Sequence, residues 1–468
     1  MAICTAVVKQ LRAIVGRKYV LDSQEDLLCY SFDGTFAEFM PDLVVEPGST
    51  EEVSAILKLA NEHEIPIIAR GMGSGLAAGT VPFGGGIVLP LNRMDAILEI
   101  DLLNMTATVE AGVITFDLQT AVECHDLFYP PDPSSIKHST IGGNIACNAG
   151  GPRCLKYGVT GNYVMGVTAV LADGRIIKSG GKTIKNVTGY NFVQLFTGSE
   201  GTLGIITEAI LKLVSKPHYV RTAVVAYDRL DDASRTVNAV LSAGIVPATM
   251  ELMDETAIVC IEEAMHLGLP VDKEAILIIE ADGFDQDGVQ HEIEAIARIC
   301  QETGASSVEV AKNEAERAEL WRARRSVGPS LARRAPNKLG EDISVPRSQI
   351  PEAVRRIKEI SRKLELPIVI FGHAGDGNLH PNILFDRRDP EQWERVQDAV
   401  AAIFATAVDL GGTLSGEHGV GTLKLPYLES DVGRISIEVQ QLIKQALDPK
   451  GILNPGKALP LMEPSSHY

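Results

Sequence analysis

At 468 residues with 45% hydrophobic side chains, the chain is too long for one ordinary core and apolar enough to fold, which makes two domains the default and three the upper bound. Its 61 acidic against 43 basic side chains leave a formal charge of -18, so no basic stripe is available to meet the phosphates of a nucleic acid. Seven cysteines, odd in number, scattered and without a C-x-x-C pair, supply neither a disulfide framework nor an iron–sulfur cluster.

The opening MAICTAVVKQLRAIVGRK runs directly into charged helical sequence, so no secretory signal is expected, and no run approaches eighteen apolar residues. A cytoplasmic chain is the expectation. Residues 1–40 are expected to be a helical lead-in. Leu43, Val44 and Val45 then form a short strand, and Ser49 caps a helix with Glu52 completing a capping box. Val53, Ile56, Leu57 and Ala60 share that helix's apolar face. A strand over 65–69 follows and empties into RGMGSG at 70–75. Asp173-Gly174 predicts a two-residue hairpin turn within 163–179. An apolar β-rich run over 203–214 closes the region at Ser215-Lys216-Pro217.

Beyond 219 the pattern predicts strand 220–226, helix 231–243, strands 247–252 and 275–280, helix 286–302 and strand 306–311. That βαββαβ order is a ferredoxin-like unit. An Arg-rich stretch at 312–336 leads to two strands joined by a glycine-rich turn near 368–384. No internal repeat is present.

Three blocks of small residues carry the first chemistry. Arg70, Gly71, Gly73, Ser74 and Gly75 leave a strand end, where glycine lets backbone N–H groups approach an anion. The loop is not G-x-G-x-x-G and no strong helix follows, which disfavours a Rossmann site. Pro131, Asp132, Ser134, Thr140, Gly142, Gly143, Asn144, Asn148, Gly150 and Gly151 form a second block with almost no bulk. Such sequence fills no core; its backbone can lie flat against a planar or pyrophosphate-bearing ligand, the plain alternative being a surface Ω-loop. The third block is GSEGTLG at 198–204.

The second chemistry lies in GHAGDGNLH (372–380) and GEHG (416–419). Three imidazoles and a carboxylate in two glycine-framed loops can hold one divalent cation and leave a histidine for proton transfer. Hairpin neighbours project to one face, so His373 and His380 are expected to converge, while Gly416 and Gly419 permit a turn aiming Glu417 and His418 inward.

PDLVVEPGSTEEV, RGMGSG, TIGGNIACNAGG, GSEGTLGIIT and the late NPGK at 454–457 together resemble the flavin-binding domain of the vanillyl-alcohol oxidase and p-cresol methylhydroxylase superfamily, over nearly the whole chain. Within it, GHAGDGNLH and SGEHGVG are similar to the FAD-linked 2-hydroxyacid dehydrogenases, the branch that includes the catalytic subunit of bacterial glycolate oxidase and the D-lactate and D-2-hydroxyglutarate dehydrogenases. The resemblance implies an α+β fold: a two-subdomain FAD-binding domain of the vanillyl-alcohol oxidase type plus a ferredoxin-like cap. The expected domains are an FAD-binding domain over 1–218, a cap carrying the metal histidines over 219–415, and a C-terminal segment over 416–468 that returns to the FAD domain with Glu417 and His418.

The resemblance also implies that 71–75 and 131–151 wrap the pyrophosphate and isoalloxazine of non-covalent FAD. Glu200, Gly204 and Ile206 would reach its adenine side, and Asn454 would belong to the cofactor set. His138, Cys147 and Cys154 are expected to be neighbours without a flavin bond. His373, His380 and Glu417 become the ligands of one divalent metal, zinc above manganese or iron(II), chelating a 2-hydroxyacid through its hydroxyl and carboxylate. His418 takes the hydroxyl proton while the C2 hydride passes to flavin N5. Asn378 hydrogen-bonds the substrate or orients a ligand. Arg324, from the 322–325 run, is favoured as the carboxylate clamp.

One departure bears on the substrate. The 2-hydroxyglutarate-type enzymes carry a carboxylate-binding lysine where this chain has Gly340, two residues before Asp342, and Lys338 is out of register. That favours glycolate or D-lactate over a dicarboxylate. A 2-hydroxyglutarate-type dehydrogenase and a non-catalytic flavin subunit for electron transfer are the alternatives. An iron–sulfur or second flavin subunit as electron acceptor, peripheral membrane association through such a partner, and a homodimer complete the expectations.

Overall fold

The computed structural model describes residues 3–461 and divides the chain into two compact units. The first comprises residues 1–150, 159–216 and 417–468, the second residues 151–158 and 217–416. The short excursion 151–158 lay outside the expected division. Its helix Cys154–Tyr157 is pinned within the second unit by a buried carboxylate: Lys156 Nζ donates to Asp282 Oδ1 at 2.5 Å and Tyr157 Oη to Asp282 Oδ2 at 2.6 Å. Among the described residues no helix is long and apolar enough to cross a membrane.

The first unit holds two principal sheets. Four strands lie in the order Val20–Leu21, Leu43–Val45, Ile87–Pro90 and Ile67–Arg70, the last three mutually parallel. Helix Thr5–Val15 buries Val7, Leu11 and Val15 at four-residue spacing against helix Thr50–His63, whose buried face carries Val53, Ile56, Leu57 and Ala60. Ser49 caps that helix through the Glu52 N–H at 3.2 Å, but the Glu52 carboxylate reaches back to Gly48 N at 2.6 Å instead of to Ser49. The lead-in is less helical than expected, since a 3-10 turn and a strand separate Thr5–Val15 from the short helix Gln24–Cys29.

Five antiparallel strands form the other sheet, in the order Ile97–Asp101, Thr106–Glu110, Ile205–Lys212, Val164–Val170 and Ile176–Gly180. The hairpin at Asp173-Gly174 is longer than the two residues expected. Leu171 N bonds Arg175 O, Gly174 N bonds Leu171 O, and the Asp173 carboxylate accepts from Arg175 N, which closes a five-residue connection.

The C-terminal segment returns to the exposed edge of the four-stranded sheet. Ile67 N bonds Ile452 O and Asn454 N bonds Ile67 O, both at 2.8 Å, so the edge is paired. Asp448, 2% exposed, accepts from Ile452 N and Leu453 N and pairs with Lys444 Nζ. Lys444 also donates to the carbonyls of Thr202 and Leu453.

In the second unit, strands Tyr219–Tyr227, Thr249–Asp254, Ala275–Gly283 and Ala305–Val310 stand in the spatial order 4-1-3-2 expected of a ferredoxin-like unit. Helices Leu230–Ser242 and Gln286–Glu302 supply its crossovers, and helix Glu255–Met265, absent from the expected pattern, intervenes between the second and third strands. The sheet then continues from Thr249–Asp254 through Ile368–His373, Asn378–Phe385 and Asn337–Gly340, with Ile343–Ser344 also paired to Asn378–Phe385. Met253, Val369, Phe371 and Leu384 share one sheet face and pack with Ile258, Ile261 and Ala323 from helices Glu255–Met265 and Glu314–Arg325. By the two-residue pleat, Glu251, His373 and His380 project to that same face.

Because Asp448 organises the chain's return, Asp448→Ala is expected to leave the Lys444 ammonium and two N–H groups without their acceptor. A loss of about 3 kcal/mol follows, read as a lowered urea midpoint of the first unit.

Candidate active site

The first unit holds a cleft whose empty space, open mouth included, is about 770 Å³. Arg70, Gly71 and Gly75 line it from the first small-residue block, Thr140, Gly142 and Gly143 from the second, and Glu200, Gly204 and Ile206 from the third. Ala69, Ala77, Leu91 and Ile205 add apolar wall, and His418 reaches the same cleft. Two glycines are required by close approach. A Cβ on Gly142 would stand 2.6 Å from the Ala111 Cβ, and one on Gly73, at φ 69°, would collide with the Arg70 guanidinium. Arg70 is itself held by Phe32 O and Thr80 Oγ1.

Other residues of the expected cofactor set stand back from the wall because their polar atoms serve the loops. Asn144 Nδ2 donates to Thr115 Oγ1 at 2.7 Å, Asn148 Oδ1 accepts from Gly161 N at 2.8 Å, and Pro131 O accepts from Gln119 Nε2. Asn454 Nδ2 ties the carbonyls of Gly79 and Glu200 together. Ser74 and Ser134 are exposed, and Gly151 belongs to the second unit. Asp132 and Gly150 are also absent from the lining, whereas Asp33, Gly79, Thr80, Ala111, Ala146 and Gly201 are present without having been expected. Of the three residues considered as flavin neighbours, Cys147 lines the cleft with its thiol pushed up to about 12 by burial. His138 is exposed, and Cys154 lies in the second unit.

Glu200 organises one end of the cleft. In the left-handed region at φ 51°, its carboxylate accepts from Val420 N at 2.7 Å and Gly421 N at 2.8 Å, so it clasps the turn that follows His418. Burial raises its carboxyl, against the pull of those N–H groups and of Lys424 and Lys457. Burial also lowers the Lys457 ammonium to about 8, with Glu200 and Asp33 acting in the opposite sense. Lys457 Nζ and Asp33 Oδ2 are buried without a hydrogen-bond partner. An anionic, pyrophosphate-bearing cofactor fits this wall: apolar floor, small-residue loops, and two buried cations of which one lacks an acceptor.

Residues 416–418 bend and Gly419 takes φ 83°, the turn expected of the two glycines. The chain passes from the second unit to the first between Gly416 and Glu417, so Glu417 and His418 belong to the first. Within it, His418 Nε2 lies 3.9 Å from Glu417 Oε1.

In the second unit, strands Ile368–His373 and Asn378–Phe385 pair His373 with Asn378 and Phe371 with His380. The two histidines are thus diagonal neighbours on one face, not directly opposed. Their Nε2 atoms are 3.5 Å apart with rings at 87°, and both side chains are buried. Two nitrogens sharing one tetrahedral cation at about 2.0–2.1 Å stand roughly 3.3 Å apart, so the pair fits a metal. Asn378 Nδ2 is committed to Asp342 Oδ1 at 2.7 Å and Ile343 O at 2.8 Å, which leaves its carbonyl oxygen, not its amide nitrogen, for a ligand. Asp342, fully buried, also accepts from Ser415 Oγ and lies 3.8 Å from His380 Nδ1.

Of the three arginines in the 322–325 run, Arg324 turns inward. Its Nε donates to Glu251 Oε2 at 2.7 Å and its guanidinium lies 4.8 Å over the Phe371 ring, while Arg322 and Arg325 are exposed. The other Glu251 oxygen meets His373 Nδ1 at 2.6 Å. Burial would raise the Glu251 carboxyl, but His373 and Arg324 outweigh it and hold it below the usual range. Neither Glu251 nor the anchoring role of Asp342 was evident from the sequence. A carboxylate midway along the apolar strand TMELMD was the available signal for Glu251.

The comparisons with known proteins agree with this geometry. Residues 216–458, more than half of the chain, match the family described as FAD linked oxidases, C-terminal domain, and residues 41–180 match the FAD binding domain. The glycolate oxidase subunit GlcD of Bacillus subtilis (strain 168) is 49% identical over 452 residues, 96% of each chain. The D-lactate dehydrogenase of Anaerostipes hadrus is 36% identical over 455 residues, 95% of this chain and 94% of its own. Among solved structures, p-cresol methylhydroxylase with substrate bound shares the fold at a TM-score of 0.80 and 18% identity, covering 97% of this chain and 96% of that one. With the cleft, its buried cations and both family matches in one chain, this protein belongs to the FAD-linked oxidases and is an FAD-binding oxidoreductase.

Proposed function

We propose that the chain oxidises a small 2-hydroxyacid, glycolate or D-lactate, to the 2-oxoacid. The observation that carries this reading is the pair of imidazole Nε2 atoms 3.5 Å apart on the sheet face that also receives Arg324. The relatives named glycolate oxidase subunit and D-lactate dehydrogenase support it. FAD, held by 70–75, 140–143 and the Glu200 region, would supply the two-electron acceptor when bound, and a divalent cation on His373 and His380 would supply Lewis acidity. Zinc suits the two imidazole nitrogens.

The protein's own groups divide the remaining work. Arg324 spends its Nε on Glu251 and presents its two terminal amino groups to the substrate carboxylate. His418 takes the hydroxyl proton on an imidazole nitrogen. Asn378 holds Asp342 and offers its carbonyl oxygen. A small substrate is favoured by Gly340, which brings no cationic side chain for a second carboxylate, and a Cβ there would stand 2.8 Å from Asn382 Oδ1. The relatives named glycolate oxidase subunit support a partner chain, and an iron–sulfur or second flavin subunit is the proposed electron acceptor.

Anaerobic addition of glycolate or D-lactate to the yellow protein is expected to bleach the flavin; an unbleached spectrum with every 2-hydroxyacid would refute the activity. His418→Ala should retain flavin and metal while slowing reduction by about 10²–10⁴-fold, measured by stopped-flow absorbance. His380→Ala should lose the metal, so an unchanged metal content by elemental analysis would reject the ligand assignment.

A further inference from the structure

Resting on the reading of His373 and His380 as metal ligands and Arg324 as the carboxylate clamp, we propose that Glu251 is the positioning residue that sets the tautomer of the one and the aim of the other. Glu251 stands on Thr249–Asp254 directly opposite His373 in the sheet register, with its side chain wholly buried. An ionised carboxylate only accepts hydrogen bonds. The 2.6 Å contact from His373 Nδ1 to Glu251 Oε1 therefore places the ring hydrogen on Nδ1 and keeps the lone pair on Nε2, the nitrogen that faces His380. A carboxylate behind a ligating imidazole also raises its basicity and fixes its ring plane.

The other carboxylate oxygen acts on the clamp. Arg324 Nε donates to Oε2 at 2.7 Å while the guanidinium lies over Phe371, so two independent contacts fix a planar group before any ligand arrives. Neither contact uses the edge formed by the terminal amino groups. Arg324 in turn neutralises Glu251, which lets the carboxylate stay ionised at zero exposure. One side chain thus fixes the distance between the group that would bind the substrate carboxylate and a group that would bind the cation over its hydroxyl.

The test uses metal-depleted, flavin-loaded full-length protein titrated with Zn²⁺ against a chromophoric chelator. Glu251→Gln is expected to bind zinc about 10- to 100-fold more weakly than wild type with unchanged flavin absorbance. At saturating zinc it should raise KM for the hydroxyacid more than it lowers kcat. Arg324→Lys, which keeps the positive charge beside Glu251 but loses the planar fork, is expected to raise KM while retaining wild-type zinc affinity. A structural ion pair alone predicts lowered stability with zinc affinity intact, so wild-type zinc affinity in Glu251→Gln overturns the proposal. Wild-type protein that takes up no zinc overturns instead the metal reading beneath it. If Glu251→Gln yields no folded flavoprotein because Arg324 is left as an unpaired buried cation, the double variant Glu251→Gln/Arg324→Gln removes both charges. It should show the same zinc loss, and wild-type zinc affinity there also overturns the proposal.

Discussion

A carboxylate withdrawn from water must be matched by donors, and in this chain the donors come from far along the sequence. Glu200 is met by the backbone of Val420 and Gly421, 220 and 221 residues away. Glu251 is met by Arg324 and His373, 73 and 122 residues away, and Asp282 by Lys156 and Tyr157. Each pairing closes a loop that local propensity leaves open, and each costs several kcal/mol to break on one side. The two units differ in fold but are held by this same device. In the first, Glu200 lines the cleft, and in the second, Glu251 holds the His373 imidazole and the Arg324 guanidinium.

This constraint explains what was legible in the sequence. Glycine-rich blocks declare themselves because their requirement is local: Gly73 must pass under a guanidinium and Gly142 against Ala111. The ferredoxin-like order was legible from strand and helix periodicity, and the histidine hairpin from its glycine turn. Asn144, Asn148 and Asn454 look like ligand-facing amides in sequence, yet each spends one amide atom bracing a loop. The reason is that an amide in a loop poor in side chains is often the only group able to satisfy nearby backbone. Glu251 was hidden for the opposite reason, since nothing in TMELMD announces a partner more than a hundred residues downstream.

Histidine placement shows how pleat and register share the work. Seven residues separate His373 from His380, and a tight hairpin alone would leave their relation undetermined. The register pairs His373 with Asn378, which sets the histidines diagonally. At that offset their rings meet edge to face with Nε2 atoms converging, while Asn378 is freed to brace Asp342. A one-residue slip would turn every one of these side chains to the other face.

The same bookkeeping of hydrogen bonds separates a ligand arginine from a structural one. Arg334 meets Glu263 through Nε and a terminal amino group, and Arg317 spreads over Glu314 and Glu280, so both have their planar edges filled by protein. Arg70 is buried and bonds a carbonyl and a hydroxyl, with the Asp33 carboxylate of the same cleft acting on its charge. Arg324 is intermediate: its charge is balanced by Glu251, yet its fork end is open. A balanced, oriented guanidinium can accept a small carboxylate without the desolvation cost of a naked cation, and its planar fork supplies direction that a lysine at the same place would lack.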